Sequence, residues 1–415
     1  SNKSKSWSIQ VSSSLLYVCP SRSSGSFSLL IPSRLMRKQF LFVGIAAIMM
    51  AACSQKSVEE LTLSGLNPKN FETTVNDAQT ALYTLKNQAG MEVCITNFGA
   101  RIVSIMVPDK NGDMQDVVLG FDNIDSYINV PSDFGAAIGR YANRLNQGII
   151  KIDDKEIQLP QNNFGHCLHG GPEGWQYQVY EAKPINDTTI KFVRNSPDGD
   201  MNFPGNLVAE VTYTLTEDNA IDIQYTATTD AKTVVNMTNH SYFNLSGDPN
   251  NTICDHILYV NADNFTPVDS TYMTTGEILT VKETPMDFTT PKAVGADIDN
   301  FEFEQVKFGN GFDHNWVLNT QGDVAQLAAK LTSPTSGISV EVYTNEPGIQ
   351  VYSGNFLDGT ATGKKGIVYN QRTGFCLESQ KYPDSPNKNW AESNAYLEPG
   401  QTYFSQCIFK FTVEK

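Results

Sequence analysis

The chain of 415 residues carries 45 Asp and Glu against 30 Lys and Arg, a formal net charge of −15. Six of the basic residues and none of the acidic ones lie in residues 1–52, so the remainder stands near −21. A surface that acidic repels phosphate backbones and excludes nucleic acid as an expected partner; a neutral ligand suits it better.

Residues 1–35 hold 13 serines and no acidic residue. They share the composition of an organellar transit peptide, but translation starting at Met36 is the simpler account. The stretch then reads as a non-native upstream extension, expected to be disordered. From Met36 the text "MRKQFLFVGIAAIMMAAC" has a basic start, an apolar run and small residues before a cysteine. Residues 36–52 are therefore expected to be a signal peptide, too short to span a bilayer. Ala51-Ala52-Cys53 resembles the end of a bacterial lipoprotein signal, which makes Cys53 the lipidation site. The expected location is that of an exported lipoprotein, periplasmic or anchored to the outer membrane, touching the membrane only through its N-terminal lipid. Ser54-Gln55 after the cysteine, in place of an aspartate, favours the outer membrane. Residues 53–74 read as a polar tether with at most one short helical turn, and 75–415 as the folded domain.

Within that domain a period of two dominates. "ALYTLKNQAGMEVCITNFGARIVSIMVP" reads as three strands with a glycine turn between the first two. Asn111-Gly112 marks a tight hairpin tip. "GIIKIDDKEIQLP" is a further hairpin, and "LVAEVTYTLTEDNAIDIQYTATT" gives two alternating strands around Thr216–Asn219. "GISVEVYTN" and "CIFKFTVEK" continue the pattern, and no amphipathic helix of twelve residues or more stands out. The fold class is all-β, a large antiparallel β-sandwich, because so many strands in one open sheet would split or curl. The pattern gives no oligomeric state.

Five cysteines follow Cys53, widely spaced and mostly in apolar runs, so buried free thiols are expected rather than a disulfide framework. Five polar, aromatic-bearing stretches read as loops: 134–148, 164–175, 236–247, 311–319 and 373–387. His169, His240 and His314 fall in them, and loops on a rigid scaffold are where binding groups collect. His166-Cys167-x-His169 has metal-type donors, but residues 166 and 169 point to opposite faces of an extended segment and no CxxC or HExxH accompanies them. No metal is expected. There is no G-x-S-x-G elbow, and "HGGPEG" lacks the lysine and helix of a phosphate loop.

What remains is acid–base chemistry. "NMTNHSYFNLSG" surrounds His240 with amides and rings; a buried histidine needs only its hydrogen bonds satisfied, so taken alone the motif leaves a packing role and an acid–base role open. Glu378 in "FCLESQ" follows three apolar residues. It is either a desolvated base with a raised pKa or a carboxylate alternating outward on an exposed strand. Asp313 is ordinarily a turn cap, and Arg140 and Arg144 are ordinarily surface charges.

Taken together, "GRYANRL", "LHGG", "NHSYFNL", "DHNWVL", "EPGIQVYSGNFLDG" and "TGFCLESQKYPD" resemble the aldose 1-epimerases, in the same order and at similar spacing over about residues 75–415. "SPDGDMNFPGNL" adds a seventh match. The resemblance implies a large β-sandwich that interconverts the α and β anomers of a free aldose monosaccharide without cofactor or metal. It implies His240 as proton donor and Glu378 as proton acceptor. Asn143, Arg144, His169, Asp313 and Gln350 would hold sugar hydroxyls, and Tyr242, Phe243 or Trp316 would supply an aromatic floor. Tyr180 stands where the family has a tryptophan, which places sugar packing on that side in question. A sugar-binding lipoprotein without turnover is the second reading; an epimerase of phosphorylated sugars fits the acidic chain less well.

Overall fold

The hairpin expected around Thr216–Asn219 lies in the largest sheet. Strands Leu207–Leu215 and Ala220–Thr229 pair antiparallel from Leu207↔Thr229 to Leu215↔Ile221. In the first strand odd-numbered residues are buried and even-numbered ones are not, the alternation the sequence carries. In the computed structural model, which describes residues 60–414, this hairpin belongs to a nine-stranded sheet. Its order is Glu181–Asn186, Thr189–Ser196, Leu207–Leu215, Ala220–Thr229, Tyr403–Val413, Ile338–Thr344, Ala329–Thr332, Ile257–Val260 and Lys292–Ala293. A six-stranded sheet runs Tyr242–Phe243, Phe375–Gln380, Gly348–Tyr352, Asp313–Val317, Asn264–Thr266 and Leu279–Thr280. A four-stranded sheet of Leu82–Lys86, Glu92–Thr96, Arg101–Pro108 and Met114–Asp116 precedes both in the chain. These strands pair antiparallel throughout.

One buried cluster joins the larger sheets. It combines Val211, Tyr213, Ile223, Val340 and Phe409 of the nine-stranded sheet with Trp316, Ile349, Val351 and Leu377 of the six-stranded one. This is a β-sandwich core, filled by the inward-pointing half of each strand. Among the described residues helix is confined to two α-helices of six residues, Ile124–Asn129 and Glu304–Gly309, and to short 3-10 turns. The cysteines from Cys94 onward are free thiols, and only Cys254 among them is partly exposed.

Two expectations need correction. Residues 62–74, read as tether, pack on the domain: Leu66 and Phe71 are buried with Phe98, Val103 and Phe121. Pro68–Phe71 form a 3-10 turn capped by Asn67. Fully burying one such apolar side chain is worth roughly 1.5–3 kcal/mol, enough to draw a polar segment down. Second, the stretches 311–319 and 373–387, read as loops, contain the strands Asp313–Val317 and Phe375–Gln380. Their polar residues lie on a buried face, so the text looked like surface. The upstream extension 1–35, the signal peptide 36–52 and Cys53 lie outside the described residues.

Candidate active site

Register in the six-stranded sheet assembles the polar half of the site. Asn315 pairs with Gln350 and Asp313 with Tyr352, while Gln350 pairs with Glu378 and Tyr352 with Cys376. Directly opposed residues share a face, so Asp313, Gln350, Tyr352, Cys376 and Glu378 project together. The intervening residues Trp316, Ile349, Val351 and Leu377 enter the core. Glu378 does alternate away from the core, but into a cleft rather than onto an exposed face; its side chain is 2% exposed.

Three amide-bearing neighbours hold this face in place. Gln350 Nε2 donates to Asp313 Oδ1 at 2.8 Å. Gln380 Nε2 donates to Gln350 Oε1 at 3.1 Å and to Asn315 Oδ1 at 3.2 Å.

His240 comes from the facing segment and is pinned through its backbone. Its N–H donates to Ala136 O at 2.9 Å and its carbonyl accepts from Gly135 N–H at 3.1 Å. The ring stacks on Tyr242 at 5.1 Å with an interplanar angle of 23° and meets His169 edge-on at 5.0 Å. Nε2 lies 3.6 Å from Glu378 Oε1, and Nδ1 lies 3.5 Å from Cys376 Sγ. Glu378 Oε2 is buried with no hydrogen-bond partner in the protein.

The segments "YANRL" and "LHGG" complete the wall. Asn143 and His169 both have left-handed backbone, with φ of 65° and 50°, a conformation that disfavours side chains and persists only where neighbours enforce it. They enforce each other: His169 N–H donates to Asn143 O and Asn143 N–H to His169 Nδ1, both at 3.1 Å. With Nδ1 accepting, the His169 proton sits on Nε2. Arg144 donates from Nε and Nη2 to Asn163 Oδ1 at 3.1 and 3.0 Å and lies over the Tyr272 ring at 5.0 Å.

Electrostatics separate the two histidines. Burial pushes His169 down to about 3, so it is a neutral donor near neutrality. Burial pushes Glu378 up to about 7; His240 and Arg144 pull it back, while Asp313 and Asp133 raise it further. Asp313 is also raised, chiefly by burial, against the opposing pull of Arg144 and Gln350. A carboxyl poised near neutrality beside an imidazole is equipped for proton transfer in both directions.

The cleft has a volume of about 370 Å3 and is lined by every predicted site residue of the domain: Asn143, Arg144, His169, His240, Asp313, Gln350 and Glu378. That lies within the roughly 300–1,000 Å3 typical of small-ligand sites. A larger cavity of about 530 Å3, walled by Asn319, Asn345, Lys381 and Glu392, contains no histidine. Of the proposed floor, Tyr242 lines the cleft, whereas Phe243 and Trp316 belong to the core, and Tyr180 is core as well. Tyr352, Phe356 and Phe164 take the aromatic role instead, and Asp133 and Asn163 join the polar wall. Tyr352 lay within the quoted "EPGIQVYSG" and was open to discovery by its even spacing from Gln350; Asp133 had no such signal.

Metal-type donors also converge here. Asp133, His169 and His240 form one set and His240, Cys376 and Glu378 another, each with donor atoms within 4.8 Å. A cation in either set would engage His240, and burial holds the Cys376 thiol far above its ordinary range, in the protonated form that is a poor ligand. His166 turns away from both, to Thr271 Oγ1 at 2.8 Å and Gln147 N–H at 3.0 Å.

An antiparallel sandwich with an imidazole and a near-neutral carboxyl in a polar, aromatic-lined cleft defines a class, a scaffold for acid–base chemistry on a small polar ligand. The particular family follows from comparison with known proteins. The family model for aldose 1-epimerase matches residues 81–410. Human galactose mutarotase is 40% identical over 323 residues, 78% of this chain and 92% of the relative. Aldose 1-epimerase of Escherichia coli K12 is 37% identical over 335 residues, 80% and 95% of the two chains. Among solved structures, galactose 1-epimerase from Lactobacillus acidophilus NCFM superposes with a TM-score of 0.73 at 29% identity, covering 83% of this chain and 97% of its own. The chain belongs to the aldose 1-epimerase family, and it is an isomerase that interconverts aldose anomers.

Proposed function

We propose that His240 is the proton donor and Glu378 the proton acceptor in this ring opening. His240 protonates the ring oxygen of a pyranose while Glu378 removes the proton of the anomeric hydroxyl. The bond from the anomeric carbon to the ring oxygen breaks as the carbonyl forms. The open aldehyde turns about its first carbon–carbon bond, and closure with the two proton transfers reversed gives the other anomer. Each transfer by a placed group is worth roughly 10²–10⁴ in rate.

The observation that carries the reading is the 3.6 Å approach of His240 Nε2 to Glu378 Oε1, beside a buried Glu378 Oε2 left without a protein partner. His169, neutral and donating from Nε2, serves as a hydroxyl donor rather than the acid. Arg144, Asp313 and Gln350 hold hydroxyls away from the reacting carbon, and Asn143 fixes the His169 turn and adds a contact. The substrate is a free aldose of the glucose or galactose type, as the names of the relatives suggest. The protein works as an exported lipoprotein anchored through Cys53, on the sequence signal of residues 36–53.

Polarimetry of freshly dissolved α-glucose and α-galactose tests this. The protein is expected to accelerate equilibration, and His240→Ala and Glu378→Gln are each expected to lower kcat by 10²-fold or more, in keeping with the worth of roughly 10²–10⁴ for one placed acid or base. Wild-type rates in either variant would overturn the assignment. Sugar binding without acceleration by the unmodified protein would favour the second reading, a binding lipoprotein without turnover.

A further inference from the structure

Arg144 is buried in the wall of the cleft, and its guanidinium is held by groups to which the acid–base scheme gives no part. Nε and Nη2 both donate to Asn163 Oδ1, at 3.1 and 3.0 Å. These two nitrogens form one edge of the planar group, so Asn163 leaves over the end edge, made by Nη1 and the second proton of Nη2. Cζ lies over the Tyr272 ring at 5.0 Å, within the range of a cation–π contact. One amide therefore fixes the guanidinium from its edge, and one ring supports it.

Both supports are braced, and to each other. Asn163 lies in a turn closed on itself: His166 N–H donates to Asn163 O at 2.8 Å, and Asn163 N–H donates to His166 O at 3.1 Å. Asn162 clasps Leu168, accepting from its N–H at 2.8 Å and donating to its carbonyl at 3.0 Å. His166 Nδ1 accepts from Gln147 N–H at 3.0 Å, so its proton is on Nε2 and is donated to Thr271 Oγ1 at 2.8 Å. Thr271 Oγ1 donates in turn to Asp269 Oδ1 at 2.6 Å. One residue further on each segment, the Phe164 ring stacks on Tyr272 at 5.4 Å with an interplanar angle of 26°. Phe164 and Tyr272 both have left-handed backbone, with φ of 47° and 65°, which bulky residues adopt only where neighbours enforce it. The turn that carries Asn163 and the segment that carries Tyr272 thus form one clamp around Arg144.

Resting on the reading of Arg144 as a holder of sugar hydroxyls, we propose that Asn163 is a positioning residue for substrate recognition: it takes one edge of the Arg144 guanidinium and presents the opposite edge to the sugar. An arginine has many rotamers, and ordering it as the ligand arrives costs affinity; a side chain fixed beforehand is spared that cost. Among the charged neighbours of Arg144, Asp313 acts on it most strongly. Asn163 therefore also keeps the guanidinium from settling on that carboxylate, the other proposed hydroxyl ligand. Its effect falls on binding and leaves the proton transfers alone.

Asn163→Ala removes the acceptor, and Asn163→Asp keeps an oxygen in the same place. In polarimetric kinetics with α-galactose, KM is expected to rise about tenfold in Asn163→Ala, the scale of ordering one long side chain on binding, with kcat little changed. Asn163→Asp should recover most of the wild-type KM. Arg144→Met keeps the bulk over Tyr272 and removes the donors, so KM should rise in it, and adding Asn163→Ala to it should raise KM no further. A wild-type KM in Asn163→Ala, a loss confined to kcat, no recovery in Asn163→Asp, or a full tenfold rise on top of Arg144→Met would each overturn the proposal. Arg144→Met alone separates the two levels. A wild-type KM there would show that the arginine does not hold the sugar, and the proposal would fall with that reading. A raised KM there beside a wild-type KM in Asn163→Ala would keep the arginine's role and remove that of Asn163.

Discussion

Glu378 carries the most consequential local physics in the molecule. A carboxyl raised to about 7, chiefly by burial, is a usable base only above that pH, so kcat/KM should fall as pH drops through about 7. The same shift bears on stability with a definite sign. The folded state holds this proton more tightly than the unfolded state, so the contribution is full below the unfolded pKa and is lost as pH rises through the folded one. Ionised Glu378 is thus a strained group at alkaline pH, its cost on the order of 3 kcal/mol. Glu378→Gln is expected to melt several degrees higher than the unmodified protein at pH above 8, with no such gain near pH 5, although on the proposed role it loses activity. Thermal melts at the two pH values check this; equal melting at both would place the ionised carboxylate in a better-solvated setting than the cleft provides.

At the scale of the strand, parity decides function. Asp313, Gln350 and Glu378 sit on three neighbouring strands and on one face, Gln350 opposite Glu378 and Asp313 two residues along from the position opposite Gln350, and a slip of one residue would send all three into the core. Gln350 bridges Asp313 and Gln380, donating to the first at 2.8 Å and accepting from the second at 3.1 Å. A hydrogen bond to a charged group is worth about 1.5–3 kcal/mol. Gln350→Ala is accordingly expected to raise KM roughly tenfold while kcat falls much less, since His240 and Glu378, the proposed acid and base, are untouched; steady-state polarimetry over several sugar concentrations separates the two. Parity also explains what the sequence made legible. Strands with one wet face, such as Leu207–Leu215, announce themselves by alternation. Asp313–Val317 and Phe375–Gln380 are buried on both faces or nearly so, one face apolar and one polar, and their polar half reads as loop. The same ambiguity left the floor undecided among Tyr242, Phe243 and Trp316, of which only the first faces the cleft. His240, Glu378 and the other predicted residues that line the cleft were accessible through family motifs. Asp133 reaches the site through backbone pairing with a distant segment and leaves no local pattern.

For the whole molecule, the pKa values of buried groups set how it meets acid. His169 and His314 are both lowered to about 3 by burial. His314 is fully buried, its Nδ1 accepting from Asp313 N–H at 3.1 Å. A histidine depressed in the folded state stabilises above its unfolded pKa, and that stability is lost as pH falls, because the unfolded chain takes a proton the native one refuses. Two such groups give a slope of about 2.7 kcal/mol per pH unit below roughly pH 6.5. Glu378 opposes one of them between its two pKa values, since there the native state holds the extra proton. The three groups together therefore erode stability gently from neutrality to about pH 4.5 and steeply below it. Urea unfolding at pH 7, 5.5 and 4 should show this curvature, and His314→Gln, which keeps an acceptor for Asp313 N–H, should flatten the steep part by about half. A variant with an unchanged slope would mean that His314 already carries its proton in the native core.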